Sequence, residues 1–194
     1  MGNTVGSLSG VQRQIIVGTL LGDGSMRRSR TNALLEINHS VRQRTYVDWK
    51  YDNLAGFVLT PPKERPGNGG RIAYRFVTKS HPELTLIYRS FYGEKGKRVP
   101  TELELTPLTM AVWFMDDGSK SRRAVYLNTQ QFDLVSQERL LGMLSAQWGV
   151  QGSLHRDKEY RRIWVRVESA TTFVELIDPF VLPEFKYKLP QVTP

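Results

Sequence analysis

Two ten-residue stretches decide the fold: IIVGTLLGDG at residues 15–24 and TMAVWFMDDG at residues 109–118. Each is an apolar run that ends in Asp-Gly. Aligned on that ending, Asp23 corresponds to Asp117, 94 positions further along the chain. A single Asp-Gly pair is most often an ordinary turn. A second copy at the end of a second apolar run indicates an internal repeat instead.

Both runs have the length and apolar content of buried helices, which we predict at residues 11–21 and 107–115. Gly24 and Gly118 are placed to end these helices. Gly18 and Gly22 lie on one helical face, so the two helices could approach closely and bring their acidic ends together.

The flanks of the two stretches repeat as well. A serine and a basic cluster follow each acid, and LEINHS at residues 35–40 is similar to YLNTQQ at residues 126–131. Alternating strand-like segments follow at residues 71–80 and 161–169, and each half ends in a Lys-Pro-containing segment. The pattern predicts an α+β fold of two αββαββα halves, residues 1–100 and 101–194.

Composition bounds the function. With 40% hydrophobic residues, the 194-residue chain can form a sizeable core, which excludes disordered and fibrous classes. No apolar run is long enough for a membrane span, so we expect no membrane partner and an intracellular protein. The chain has no cysteine, which excludes disulfides and thiolate zinc sites, and its three histidines are scattered. A bound metal would therefore be held by oxygen.

The charge points to a polyanion. The formal net charge is +8, and residues 1–100 carry +9 against −1 for residues 101–194. If both halves contact DNA, the first should make more of the phosphate contacts.

Two carboxylates brought together at helix C-termini repel each other and face the negative end of each helix dipole. A divalent cation offsets both costs, and Mg²⁺ between Asp23, Asp117 and a DNA phosphate is the natural candidate.

The paired stretches resemble the two LAGLIDADG motifs of single-chain homing endonucleases. Further matches are Leu-Thr-Pro at residues 105–107, LNTQ at residues 127–130 and KYKLP at residues 186–190. The resemblance implies a pseudo-twofold monomer in which each half presents a saddle-shaped antiparallel sheet to double-stranded DNA. It also implies a freestanding, intron-encoded enzyme that cuts a long, imperfectly palindromic site. An intein origin is disfavoured, because the chain lacks the terminal residues of a splicing domain.

The resemblance assigns roles to individual residues. Asp23 and Asp117 would each place Mg²⁺ at one scissile phosphate, with Mn²⁺ or Ca²⁺ able to replace it in binding. The remaining expectations are carbonyl ligands at Gly22 and Asp116, lysines near the cleavage centre at Lys97 and Lys188, and polar residues near the acids at His39 and Gln130. For the two lysines, a solvated loop position is the structural alternative.

Strand periodicity suggests the DNA-reading surface. It places Arg162, Trp164, Arg166 and Glu168 on one strand face, and Arg71 and Arg75 on the exposed face of another strand. The clusters after the motifs could read guanine or hold phosphate, or simply be solvated edges; they are Arg27, Arg28, Arg30, Lys120, Arg122 and Arg123.

Two other functions fit the same fold: an intron maturase, for which intron RNA is the partner, and a DNA-binding regulator that does not cut. Such proteins commonly lose one or both acids, and this chain has both, which favours cleavage. We expect the protein to act where genomic or organellar DNA is found, in a compartment that the sequence leaves open.

Overall fold

The computed structural model describes residues 6–94 and 96–191. These residues form two compact units, which divide between Arg89 and Ser90. The sequence placed the boundary between the halves at residues 100 and 101, and that boundary stays a prediction. No helix in the described part of the chain is both long and apolar enough to cross a membrane.

The first unit has the predicted order αββαββα. Its sheet is antiparallel throughout, in the order β1-β2-β4-β3. The elements are α1 (Gly10–Leu21), β1 (Ser25–Arg28), β2 (Ala33–Ser40), α2 (Arg44–Leu54), β3 (Lys63–Pro66), β4 (Ile72–Val77) and α3 (Pro82–Phe91), whose last two residues belong to the second unit.

The second unit repeats this topology after a short hairpin, whose strands β5 (Tyr92–Gly93) and β6 (Gly96–Lys97) have two residues each. Its antiparallel sheet has the order β7-β8-β10-β9. The elements are α4 (Pro107–Asp117), β7 (Gly118–Ser121), β8 (Ala124–Leu127), α5 (Leu134–Trp148), β9 (Gly152–Asp157), β10 (Tyr160–Val165) and α6 (Val167–Ile177).

Strand register fixes which residues of the two units correspond. Ser25 lies opposite Glu36 in the first sheet, and Ser119 lies opposite Tyr126 in the second. The sequence comparison paired residues 35–40 with residues 126–131, which is one residue out of register. A slip of one residue exchanges the two faces of a strand, so the correct register decides which side chains reach the site.

In this register, corresponding residues are 90 positions apart from β2 through α2. His39 corresponds to Thr129, and Ser40 to Gln130. The buried positions of α2 and α5 agree throughout: they are Tyr46, Val47, Lys50 and Leu54 in the first unit, and Ser136, Gln137, Leu140 and Leu144 in the second.

The two motif helices are capped at their N-termini by side chains. Ser9 and Gln12 form a capping box at α1, and Thr106 accepts a hydrogen bond from the backbone N–H of Thr109 at α4, where Pro107 begins the helix. The second motif helix is longer than predicted and includes Asp117. Its acid is therefore held by helical backbone, whereas Asp23 follows the end of α1.

Each motif acid is followed by a glycine that packs on its own helix. A Cβ on Gly24 would lie 2.8 Å from the carbonyl oxygen of Thr19, and one on Gly118 would lie 2.5 Å from that of Phe114. Both distances are shorter than van der Waals contact allows. The glycines thus let the chain turn from helix into the first strand of each sheet.

Candidate functional site

Asp23 comes directly after Gly22, the C-cap of α1, and its side chain is 47% exposed. It opens onto a depression of about 400 Å³ that Asn38, Gln43 and Arg71 also line. The depression brings the carboxylate of Asp23 and the guanidinium of Arg71 to one exposed surface, while the metal-binding role of Asp23 and the DNA contact of Arg71 stay predictions. A carboxylate oxygen at this place suits a hard divalent cation.

His39 is a buried neighbour of Asp23. Its side chain is 2% exposed on the covered side of β2, and its Nδ1 lies 3.7 Å from Oδ2 of Asp23. The structure therefore brings His39 to the acid, as the sequence predicted. Behind it, Nζ of Lys50 lies 3.3 Å from His39 Nε2 and 4.3 Å above the ring of Tyr46. Lys50 was not predicted from the sequence, although it lies at helical spacing among the apolar residues of α2 that are buried.

Asp117 has a different set of neighbours in the second unit. Nε2 of Gln131 lies 3.4 Å from Oδ2 of Asp117, and Oε1 of Gln131 accepts a hydrogen bond from Nζ of Lys97 at 2.9 Å. Lys97 is therefore linked to the acid through an amide. Gln130, the predicted neighbour, donates instead to Oδ2 of Asp157 at 2.8 Å. The amide that reaches Asp117 belongs to the next residue, Gln131, which lies in the turn between β8 and α5.

Lys188 contacts the carbonyl end of α4. Its Nζ donates to the carbonyl oxygen of Met115 at 2.7 Å and lies 3.5 Å from that of Asp116. An ammonium at this end of a helix offsets the negative end of the helix dipole, beside the acid Asp117. The carbonyl of Asp116, a predicted metal ligand, is thus within reach of a lysine, and the Asp116 residue is 8% exposed.

The backbone of Gly22, the other predicted carbonyl ligand, ends α1. Its N–H donates to the carbonyl oxygen of Gly18, and the residue is buried. Its role as a ligand stays a prediction.

One face of the second sheet carries a cluster of aromatic and basic side chains. The guanidinium of Arg162 lies 3.9 Å from the centroid of the Tyr126 ring and donates to Oδ1 of Asn128 at 3.4 Å. On the same face, the rings of His155 and Trp164 stack 4.6 Å apart. Register places Tyr126, Arg162 and Trp164 on one side, as predicted for Arg162 and Trp164. Stacking restricts these side chains before any ligand binds.

Arg166 and Glu168 do not share this face, contrary to the prediction. β10 ends at Val165, Arg166 is the N-cap of α6, and Glu168 lies in the first turn of that helix. An acidic residue is favourable there because the helix N-terminus carries partial positive charge.

The corresponding face of the first sheet is more basic. Arg75 lies opposite Asn38 and Lys63 and forms an ion pair with Glu36 at 3.3 Å. A depression of about 470 Å³ opens beside it, and its basic lining residues are Arg27, Lys63, Arg65, Arg75 and Lys79. This concentration of cations agrees with the excess of positive charge that the sequence analysis found in the first half.

The basic clusters after the motifs are dispersed. Arg27 lies on the open face of the first sheet, whereas Arg28 in β1 and Lys120 in β7 alternate onto the opposite side. The other members lie in the turns between the first two strands of each sheet; they are Arg30, Arg122 and Arg123. A tight turn exposes its side chains, so these arginines do not belong to the sheet face.

The sequence model of the LAGLIDADG DNA endonuclease family matches residues 13–173. The chain belongs to this family. The LAGLIDADG resemblance read from Asp23, Asp117 and their flanks is therefore confirmed, together with the α+β fold of repeated αββαββα units.

Relatives of this LAGLIDADG chain have several descriptions. It is 29% identical to Protein RecA of Mycolicibacterium chitae, over 94% of this chain and 47% of the relative. It is 26% identical to a probable intron-encoded endonuclease of Wickerhamomyces canadensis, over 94% of this chain and 85% of the relative. It is also 26% identical to the cytochrome b mRNA maturase bI2 of Debaryomyces hansenii, over 91% of this chain and 72% of the relative. The chain thus spans about half the length of the RecA relative.

Among solved structures, the LAGLIDADG chain is similar to the homing endonuclease I-WcaI bound to its DNA recognition sequence. The TM-score is 0.87 at 25% identity, with 97% of this chain and 89% of the other covered.

Proposed function

We propose that this LAGLIDADG protein is a homing endonuclease that hydrolyses both strands of a long, imperfectly palindromic DNA site with a divalent metal. The observation that carries the proposal is the repeated placement of Asp23 and Asp117 at the end of the first helix of each unit, each beside a polar partner. Duplicated acids with dedicated partners suit a reaction that is carried out twice, once on each strand.

Asp23 and Asp117 would hold Mg²⁺, since hard cations prefer carboxylate oxygens and the chain has no cysteine to favour a softer ion. Bound Mg²⁺ supplies Lewis acidity, which stabilises the negative charge that develops on a phosphate during hydrolysis. Lys97 adds positive charge to the Asp117 side through Gln131, and Lys188 stabilises the end of the helix that carries Asp117. His39 would orient Asp23, whose Oδ2 lies 3.7 Å from its Nδ1.

The open sheet faces would bind the DNA. The first is basic, with Arg27, Arg75 and Lys63, and the second combines Arg162 with stacked aromatic rings. Arginine reads guanine with two donors in the major groove, and lysine contacts phosphate. Because the two faces carry different side chains, the two halves of the target should differ in sequence, and one chain should suffice for each site. The similarity to I-WcaI, which was solved with its DNA, supports this proposal.

The test is cleavage of a plasmid library of randomised sites with Mg²⁺ or EDTA, followed by sequencing of the DNA ends. Site-specific double-strand breaks should appear with Mg²⁺, disappear with EDTA, and be lost in Asp23→Asn and Asp117→Asn. Asp52→Asn, on the exposed side of α2, is the matched control and should cut normally. Specific binding without breaks, in a library shown to contain bound sites, would contradict the endonuclease.

A maturase is the second candidate, and the similarity to the cytochrome b mRNA maturase bI2 favours it. In that case the basic face of the first unit would bind intron RNA. The matched measurement is splicing of the host intron with wild type and Asp23→Asn. Splicing that is unaffected by Asp23→Asn, together with absent DNA cleavage, would identify the maturase. We place either activity inside the cell, where the nucleic acid is.

A further inference from the structure

Lys50 is an unusual core residue. It lies on the buried side of α2 with Tyr46, Val47 and Leu54, and it is 0% exposed. Removing an ammonium from water carries a large desolvation cost that an aliphatic side chain does not have. The buried position must therefore provide something that packing alone does not.

The second unit shows what the position requires for folding. The residue of α5 that corresponds to Lys50 is Leu140, which is also 0% exposed. Similarly, His39 corresponds to Thr129, which is buried at 0%. The same fold is thus built with leucine and threonine where the first unit has lysine and histidine.

The contacts of Lys50 lead to Asp23. Its ammonium lies over the Tyr46 ring, an arrangement that stabilises the charged form, and 3.3 Å from Nε2 of His39. The ring of His39 is itself packed against Tyr46, with centroids 5.3 Å apart. The other ring nitrogen, Nδ1, faces Oδ2 of Asp23 at 3.7 Å.

The hydrogen-bond donors of Lys50 determine the tautomer of His39. An ammonium has three N–H donors and no acceptor. Nε2 of His39 must therefore act as the acceptor toward Lys50, and in a neutral ring the remaining proton then resides on Nδ1. That N–H faces the Asp23 carboxylate, with 3.7 Å between Nδ1 and Oδ2.

We propose that Lys50 is a positioning residue of the first unit: it fixes the tautomer and orientation of His39, which presents its Nδ1–H to Asp23. This inference rests on the proposed function for its effect on cleavage, but not for the tautomer itself. In the second unit, the amide of Gln131 contacts Asp117 and is itself bound by Lys97. The two acids therefore have chemically different supports.

The direct test is long-range ¹H–¹⁵N correlation of the histidine side chains in ¹⁵N-labelled protein. His39 should have a protonated Nδ1 and an unprotonated Nε2, assigned with His39→Gln. In Lys50→Met, which keeps the length of the side chain without its donors, Nε2–H should become populated. His81 and His155 are internal references and should not change. A wild-type Nε2–H tautomer, or an unchanged His39 signal in Lys50→Met, would overturn the inference.

The functional test compares cleavage rate at saturating protein with DNA affinity. Lys50→Met should lower the rate constant roughly 10- to 100-fold, as for loss of a side chain that orients a metal ligand, with unchanged affinity. Lys50→Arg, which retains donors, should recover part of the rate. Asp52→Asn, on the exposed side of the same helix, is the control and should change neither the rate nor the affinity.

The double variant His39→Thr with Lys50→Leu separates a loss of function from a loss of folding. It copies the pair that the second unit tolerates at these positions, so it should fold with a melting temperature at or above that of wild type. It should nevertheless cut at least tenfold more slowly. Full cleavage activity in this variant would overturn the role of Lys50. If wild type does not cut DNA at all, the proposed function fails, while the tautomer measurement still decides this inference.

Discussion

Nε2 of Gln131 lies 3.4 Å from Oδ2 of Asp117. The same amide accepts a hydrogen bond from Lys97 through its oxygen, so one side chain joins an acid to a cation. We predict that Gln131→Leu lowers the cleavage rate roughly 10- to 100-fold, since it releases both the carboxylate and the lysine. Single-turnover cleavage with saturating enzyme measures this effect without interference from DNA affinity.

Gln130→Leu is the matched control for that experiment. Its amide contacts Asp157, and in the described structure no hydrogen bond joins it to Asp117. The rate of this variant should remain within about threefold of wild type. A larger loss in Gln130→Leu than in Gln131→Leu would reverse our assignment of the two amides.

The glycines after the motif acids should tolerate no side chain. Gly24→Ala and Gly118→Ala place a Cβ against the carbonyl oxygens of Thr19 and Phe114, and backbone atoms cannot move aside as a flexible side chain can. We expect each variant to lose about 1–3 kcal/mol of unfolding free energy in urea titrations.

Gly142→Ala is the control for the glycine variants. It lies within α5, and a Cβ there would have no atom within 4 Å. Alanine in a helix interior should raise the unfolding free energy by about 0.5–1 kcal/mol. If all three alanine variants changed the unfolding free energy equally, contact between the added Cβ and the backbone would not explain the loss.

Glu83 should give the first unit a pH-dependent stability. It accepts hydrogen bonds from Arg13 at 2.7 Å and from the backbone N–H of Leu8 at 3.3 Å. Burial alone would raise the pKa of Glu83, but hydrogen bonds from Ser7, Arg13 and Leu8 and the charge of Arg13 lower it overall, below its ordinary value of 4.5.

Because the folded-state pKa lies below the unfolded-state value, the Glu83 contribution is complete above pH 4.5 and is lost as the pH falls through the lower, folded-state pKa. Glu83→Gln should therefore reduce the melting temperature at pH 7, and the difference from wild type should shrink below pH 4.5. Glu175→Gln, on the exposed side of α6, is the control and should show no such convergence. A constant difference at every pH would contradict the ion-pair explanation.

Arg162 should determine base preference. Its guanidinium is held over Tyr126 and by Asn128 on the open sheet face, so little conformational freedom is lost when it binds a base. Arg162→Met should reduce discrimination at one position of the selected site by about 1–3 kcal/mol. Selection of cleaved sequences from a randomised library measures this preference.

Arg161→Met provides the comparison, because Arg161 alternates onto the opposite side of β10. It should leave the selected sequence unchanged. Loss of the same base preference in both variants would indicate a general electrostatic effect instead of base reading.

Repetition made the topology predictable from the sequence. Two apolar runs ending in Asp-Gly, each followed by strand-like and helix-like segments, were enough to predict two αββαββα units and to place Arg75 and Arg162 on exposed strand faces. These conclusions depend on the spacing of apolar residues within each segment and on the order of the segments. Small differences in loop length change neither.

Features that depend on single-residue register were not predictable in this way. The sequence alignment paired His39 with Gln130, whereas strand pairing matches His39 with Thr129. Gln131, whose amide contacts Asp117, lies in the turn after β8, where strand alternation does not predict side-chain direction. The alternation of Ile163, Val165 and Val167 continues past the end of β10 into α6, which concealed the start of the helix and misplaced Arg166 and Glu168. Lys50 was missed because its partner His39 is close in space but lies on a different element.

The amide of Gln137 has a consequence for the newly made protein. It is 3% exposed in α5, and its Nε2 lies 2.8, 3.0 and 3.1 Å from the carbonyl oxygens of Thr129, Phe132 and Arg161. The turn that carries Gln131 is thereby joined to α5, and α5 is joined through the same amide to β10, which comes later in the chain. A chain that ends before Arg161, or one in which α5 is unfolded, lacks some or all of these hydrogen bonds. On the proposed function, such a chain cannot cut efficiently, which limits stray damage to the DNA of the cell that makes it.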